Sequence, residues 1–448
     1  MTVRQSSSPS DRLLGGVSGA PDVDTELSDP SVLQAMLDAE AALARATADV
    51  GILPASAAEA IVEQCRADRY DPGALGRAAD AAGNPVVALV GELTAAVPEH
   101  ARGWVHLGAT SQDVLDTALV LVSVRALDPL LRHLDAAVDA AARLADTHRD
   151  TVLVARTLGQ QAAPTTFGLK AAGWLTGLVE ARDRLRQARA ARPAQLGGAV
   201  GTLAAFGPAG TEVVERFAAH LGLPSSPLPW HTRRQPWLDL AAALGGLLVS
   251  TGKVALDVGL LAQNDVGEVA EGGTGRGGSS AMPHKRNPVD SILVTAAARR
   301  GPGLVATLFA AAVQEHERAA GAWHAEWEPL LDLLHVAGGA AARCARMLVG
   351  LQVHTARMRE NLDATGGLVL AEAVAARLAP VVGRGVAHEL VTRAAAGPSF
   401  RAALLADPAI RAHLSEAEID EALDPYRWLG SAGRFVDSAL ATVRGTDR

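Results

Sequence analysis

Three stretches of this chain repeat apolar residues at helical spacing for longer than most globular helices last, and this limits the fold more than any other feature. From Ser111 the residues Val114, Leu115, Ala118 to Val122 and Val124 are apolar on nearly every face, the pattern of a helix enclosed by other helices. A second stretch begins at Pro164, with the stripe Phe167, Ala171, Trp174, Leu178, Ala181, Leu185. A third follows Pro236, with Leu240, Leu244, Leu247, Val254, Val258 and Leu261 on one face. Helices of about 25 residues run close to 40 Å, and three of them predict an all-α fold built on a central elongated long-helix bundle. Strand-like alternation is scarce, and alanine, the best helix former, is abundant.

Around that bundle the chain divides by composition. Residues 1–29 are rich in Ser, Gly, Pro and Asp without periodicity and are expected to form a flexible arm. Helical order is expected from Asp29-Pro30, with the stripe Val32, Met36, Ala39, Leu43, Ala46, Val50 opening an N-terminal helical domain over 30–103. The central bundle is placed at 104–350 and a C-terminal helical domain at 351–448, where Gly366-Gly367, Pro380, Gly397-Pro398 and Pro408 punctuate shorter helices. A net charge of -8 argues against a general nucleic-acid binder, which needs a basic face, while leaving room for a small anionic ligand. Cys65 and Cys344 lie outside any CxxC pair and read as two reduced thiols of a cytoplasmic protein. The N-terminus lacks a signal-peptide core. The longest uncharged stretch, Pro193 to Thr211, is broken by glycines and Pro208, so no membrane span is expected.

The chemistry concentrates in EGGTGRGGSSAMPHKRNP, Glu271 to Pro288. Gly273, Gly275 and Gly278 formally satisfy GxGxxG, but the segment follows a helix rather than a strand and runs into Met-Pro, so it is no dinucleotide loop. A plain Gly/Ser linker is the bland reading. Against it stand Ser279, Ser280, His284, Lys285, Arg286 and Asn287, which a linker does not need. Lys285 is one of only three lysines, with Lys170 and Lys253, in a chain that otherwise uses arginine. A glycine-rich lid carrying a hydroxyl, an ammonium and an amide suits removal or return of a proton beside a carboxylate, where fixed donors meet developing negative charge. Asn287-Pro288 is expected to cap and open the next helix.

GSSAMPHKRNP, Gly278 to Pro288, resembles the signature loop of the fumarase/aspartase superfamily. WVHLGATSQDVLDTA from Trp104 and ARTLGQQAAPTTFG from Ala155 match further segments in the expected order, and the similarity extends over nearly the whole chain. Within the superfamily it is greatest to the bacterial cycloisomerases of 3-carboxy-cis,cis-muconate, which act in protocatechuate breakdown. QLGGAVGTLAAFG, LPWHT, QEHERAAGAWHAEW and NLDATGGLVLAEAV support it. The resemblance implies a homotetramer with each active site assembled from three subunits, a small tricarboxylate substrate, and no metal or cofactor. It implies that Ser279 is the catalytic lid serine and that Lys285 and Asn287 stabilise an aci-carboxylate intermediate. Thr110 and Ser111 then hold a substrate carboxylate, although two hydroxyls at a helix start also read as ordinary caps. His106 matches an active-site histidine, and Gln160, Gly278, Ser280 and Met282 are expected to line the substrate. His284 is left in a supporting position.

Two departures bear on the substrate. Adenylosuccinate lyase, fumarase and argininosuccinate lyase carry a proton-transferring His after the Arg-Thr pair, whereas this chain has Leu158, which transfers no proton. The cycloisomerase branch also lacks that His, in agreement with a reaction whose nucleophile is the substrate's own carboxylate. HTRRQP, His231 to Pro236, differs from the HTQRD of the cycloisomerases. The alternatives are a lyase releasing fumarate from adenylosuccinate or argininosuccinate and, in another class, a non-catalytic structural or binding homologue. Glu315-His316-Glu317 would need a histidine at 320 for a zinc motif, and that position is Ala320.

Overall fold

The computed structural model describes residues 8–9, 13–272, 277–278 and 281–444. Five long helices dominate it: Ser111–Thr147, Phe167–Ala190, Gln235–Leu261, Val289–Ala311 and Trp327–Val349. The stripes read from the sequence are the buried faces, with Leu240, Leu244, Leu247, Val254 and Val258 in one helix and Phe167, Ala171, Leu178 and Leu185 in another all removed from solvent. By length and composition the Gln235–Leu261 helix could also cross a membrane, although half of its most apolar window is buried in the protein.

The chain forms two compact units, Met1–Asp135 with Glu180–Gly252 and Leu293–Cys344, and Ala136–Val179 with Lys253–Ile292 and Ala345–Arg448. This division cuts across the consecutive segments 30–103, 104–350 and 351–448 expected from the sequence, because all five long helices contribute residues to both units.

In the first unit the helix Asp29–Asp49 buries Leu33, Met36, Leu37, Ala39 and Leu43 and packs on Ala55–Gln64 and Gly210–Leu221. The expectation of a flexible arm over residues 1–29 is corrected for its second half. A turn at Gly15–Val17 and a helix at Pro21–Glu26 are bound to Trp327–Val349 through polar contacts. Arg343 donates to the carbonyls of Gly16 and Gly19, and the His335 ring lies 2.7 Å from Asp24 and 2.8 Å from the Ser18 hydroxyl. Composition missed this because the partners lie more than 300 residues away.

In the second unit a β-hairpin, Val152–Thr157 with Gln160–Thr166, replaces the helix start expected at Pro164; that helix begins at Phe167. The strands are antiparallel, Val152 opposite Thr166 and Thr157 opposite Gln160, with an irregularity between Val154 and Arg156. Val152 and Val154 pack with Leu362, Val369, Leu370 and Ala373, while the far end of the hairpin stands in solvent. Its turn is Leu158-Gly159, both at positive φ (52° and 79°), the conformation of a tight two-residue hairpin. A second short pairing, Val269–Ala270 with Gln352–Val353, fixes the chain just before the lid. The C-terminal helices enclose their own core of Val374, Leu378, Leu390, Phe400, Leu404 and Ile419.

Candidate active site

The expected site residues fall into two groups, one in each unit. In the first, the loop before Ser111–Thr147 turns sharply. His106 sits at φ 57° and Gly108 at φ 70°, where an added Cβ would lie 2.6 Å from the Phe206 ring. His106 Nδ1 is 2.6 Å from Oε1 of Glu40, a carboxylate only 1% exposed. Burial disfavours the imidazolium, but the hydrogen bond and charge of Glu40, aided by the charge of Asp113, outweigh it and raise the His106 pKa above its ordinary value.

Asp113, in the first turn of the helix, is the centre of this group. Its Oδ2 accepts the Thr110 N–H at 3.0 Å and the Gly198 N–H at 2.9 Å. Its Oδ1 accepts the Gly197 N–H at 2.9 Å and lies 2.6 Å from His231 Nε2. The Asp113 N–H goes to the Thr110 carbonyl, so the helix is capped without either side-chain hydroxyl. Thr110 and Ser111 are half-buried, and among the described residues their hydroxyls make no hydrogen bond, which leaves them free for a ligand rather than used as caps. Arg318 donates to the carbonyls of Gly198 at 2.6 Å and Ala199 at 3.0 Å, holding the same glycine turn from the other side.

One helical turn further on, Asp116 and Glu326 share Arg234, which is buried completely. The Trp323 indole donates to Asp116, Gln314 donates to Glu326, and the Trp230 ring lies 4.8 Å from the guanidinium. Burial works against the Arg234 charge, but the two carboxylates hold it protonated. Burial pushes the Glu326 carboxyl up to about 7 against the pull of Arg234, with the Asp116 charge adding to the rise. This core explains part of the HTRRQP departure. Arg234 is the arginine shared with HTQRD, whereas the differing positions, Arg233 and Gln235, are exposed.

The second unit holds the hairpin and the described part of the Glu271 to Pro288 loop, the segment expected to act as a lid. Ser279 and Ser280, expected as the catalytic serine and its neighbour, lie outside the described residues. The lid's two roots are fastened together. The Asn287 N–H and Nδ2 both donate to the Gly277 carbonyl, at 2.8 and 3.1 Å, and Gly278 bridges to Arg286. Gly277 has φ 72°, and a Cβ there would lie 2.2 Å from the Asn287 carbonyl oxygen, so only glycine fits. The expectation that Asn287 caps the following helix is corrected: Glu271 does so, accepting the N–H groups of Asp290 at 3.0 Å and Ser291 at 2.7 Å. The Lys285 ammonium and the Met282 side chain are exposed, and Lys285 has no side-chain partner among the described residues. Beneath the lid roots lies a cavity of about 370 Å³ lined by Asn264, Glu271, His284, Arg286, Asn287 and His354.

Leu158 is fully exposed at the hairpin tip and Gln160 is exposed beside it. The hairpin is tied to the strand before the lid by Arg156, which meets the buried Glu268 through two hydrogen bonds of 2.8 and 2.9 Å. Asn361 holds the same carboxylate. The structure thus gathers His106, Thr110 and Ser111 in one unit, and Gly278, Met282, Lys285 and Asn287 in the other with Gln160 on its hairpin. Glu40, Asp113, His231 and Arg318 were not singled out from the sequence. Asp113 had a legible signal, an acid three residues into the helix after Thr110. Glu40, set among alanines and leucines, had none.

Long helices of this kind are shared with a known class of enzymes. Residues 15–303 match the family described as lyase and residues 367–439 the adenylosuccinate lyase C-terminus, and the chain belongs to this lyase family, the fumarase/aspartase superfamily. Among individual proteins it is 46% identical to 3-carboxy-cis,cis-muconate cycloisomerase of Pseudomonas aeruginosa, covering 97% of this chain and 96% of that protein. It is 47% identical to nitrosuccinate lyase of Streptomyces davaonensis, covering 97% and 95%. A crystal structure of 3-carboxy-cis,cis-muconate lactonizing enzyme from Pseudomonas putida shares the fold with a TM-score of 0.92 at 43% identity, covering 97% of this chain and 100% of that one.

Proposed function

We propose that the protein is a cycloisomerase that interconverts 3-carboxy-cis,cis-muconate and 4-carboxymuconolactone. One substrate carboxylate adds to a carbon–carbon double bond. A C–O bond forms, the π bond breaks, and its electron pair moves into a neighbouring carboxylate. Lys285, Asn287 and lid N–H groups stabilise that dianionic carboxylate, and Ser279 gives its hydroxyl proton to carbon and takes one back from solvent. Thr110 and Ser111 hold a second carboxylate with hydroxyls that make no hydrogen bond among the described residues.

The observation that carries this reading is Leu158. It stands fully exposed at the tip of the hairpin, where an amine-releasing lyase of this superfamily carries an imidazole. Closure of a lactone by the substrate's own carboxylate needs no proton transfer there. The same argument disfavours fumarate release from adenylosuccinate or argininosuccinate. It does not disfavour elimination of nitrite from a nitrosuccinate, since nitrite leaves as a weakly basic anion. The 47% identity to a nitrosuccinate lyase, beside 46% to the cycloisomerase of Pseudomonas aeruginosa, makes that the second reading. A spectrophotometric panel of 3-carboxymuconate, nitrosuccinate and the two succinyl adducts separates them. Consumption of 3-carboxymuconate that is lost in Ser279→Ala supports the proposal, and release of nitrite and fumarate from nitrosuccinate alone overturns it.

The active site is further proposed to form only in a homotetramer. Val249, Leu256 and Leu260 leave an apolar stripe exposed on Gln235–Leu261, a surface that further copies of the chain would cover. Light scattering that returned a monomer with full activity would refute this.

A further inference from the structure

We propose that Glu40 is a positioning residue of the active site, whose buried carboxylate holds the His106 ring so that Nε2–H is offered as a charged donor to a carboxylate of the substrate. The inference rests on the carboxylate-binding role given above to the Thr110–Ser111 helix start.

Four observations carry it. His106 is held at φ 57°, a backbone conformation that favours glycine, and Glu40 is its one side-chain hydrogen-bond partner among the described residues. Glu40 lies in the interior of Asp29–Asp49, between the buried Ala39 and Ala41 in sequence, and it is 1% exposed with Oε2 unpartnered among the described residues. A buried carboxylate with half its acceptor capacity unused weakens a fold, and an apolar residue in that place would serve stability better. The ring itself is partly open, and Nε2 makes no hydrogen bond among the described residues. Finally, His106 lies four residues before the free hydroxyls of Thr110 and Ser111.

The charged groups facing the ring are Glu40 from Asp29–Asp49 and Asp113 from Ser111–Thr147, both acidic. They favour the imidazolium against its burial, so the ring keeps its proton to higher pH than an ordinary histidine. Without Glu40, burial is opposed by Asp113 alone, and the proton is lost at lower pH.

Glu40→Gln in the full-length enzyme tests this, because glutamine keeps the shape and one acceptor but not the charge. Three measurements are made across the histidine range: KM and kcat, the His106 Cε1–H resonance assigned with His106→Gln, and calorimetric binding of propane-1,2,3-tricarboxylate. The expected result is a His106 titration moved to lower pH and a roughly tenfold weaker KM at neutral pH with kcat little changed. Tricarboxylate binding should follow the same displaced curve. Glu40→Leu, which removes the buried charge and leaves His106 Nδ1 without its partner, should show at least the same rise in KM. A Glu40→Gln protein with an unmoved His106 titration and an unmoved KM–pH curve overturns the proposal, whatever happens to its melting temperature. The resonance and the tricarboxylate titration need no turnover, so failure to consume 3-carboxymuconate would count against the proposed function and not against this coupling.

Discussion

Replacing Asp113 with asparagine removes one charge and one acceptor from the point where the helix start, the glycine turn and His231 meet. The carboxylate is 1% exposed and serves four donors, two on each oxygen, at 2.6 to 3.0 Å. Asparagine keeps a single oxygen, so its amide group must face one pair of donors. The least costly orientation turns the amide toward His231, which can change tautomer and accept, and leaves the Gly197 N–H without a partner. A hydrogen bond to a charged group is worth about 1.5–3 kcal/mol, so losing one and weakening the others predicts a cost of about 3 kcal/mol. The functional effect follows from the same geometry. Thr110 N–H is one of the four donors, and a shift of this helix start of about 1 Å lowers kcat/KM by roughly a hundredfold. Urea unfolding at fixed protein concentration and steady-state kinetics read the two effects. A variant with the wild-type unfolding midpoint and wild-type KM would show that Asp113 does not organise this group.

Leu158→Asn relieves a positive φ that leucine tolerates poorly, so the fold should gain up to about 1 kcal/mol in thermal unfolding while KM rises if the hairpin tip reaches substrate. Unchanged KM would place the tip away from the chemistry. Lys285→Arg should keep the wild-type melting temperature, because the side chain is exposed, yet lose turnover by more than about tenfold, since a guanidinium cannot approach a developing oxyanion as a compact point charge. Turnover equal to the wild type would exclude that role. Burial pushes the Cys344 thiol up to about 12, and burial with the Glu40 and Asp38 charges pushes Cys65 higher still. Neither should react with a thiol reagent in the native protein at mildly alkaline pH, and both should react in urea, as read by mass spectrometry.

Much of the molecule was legible before any coordinates. The long helices follow from apolar residues three and four apart, a local pattern that burial satisfies almost without exception in Phe167–Ala190 and Gln235–Leu261. The hairpin was harder to see, because only its base, Val152 to Val154 with Pro164 and Thr166, is buried and the alternation is too short to stand out beside the helical run that follows. The ordered N-terminal segment was invisible for a different reason. Its partners Arg343 and His335 lie more than 300 residues further along the chain, and no local composition encodes that distance.

By itself the sequence determined the all-α class, the glycine-rich segment with its lone lysine, the hydroxyls at the Ser111 helix start and the absence of a proton carrier at Leu158. Each is a matter of residue type and near-neighbour spacing. Only the tertiary structure decided which groups work together. It assigned the cap of Val289–Ala311 to Glu271, turned the Asn287 amide onto Gly277, brought Glu40 from 66 residues away onto His106 and gathered His231 and the Gly197–Gly198 turn around Asp113. A buried carboxylate must find its donors wherever the packing of the helices delivers them, and that packing is a property of the whole fold.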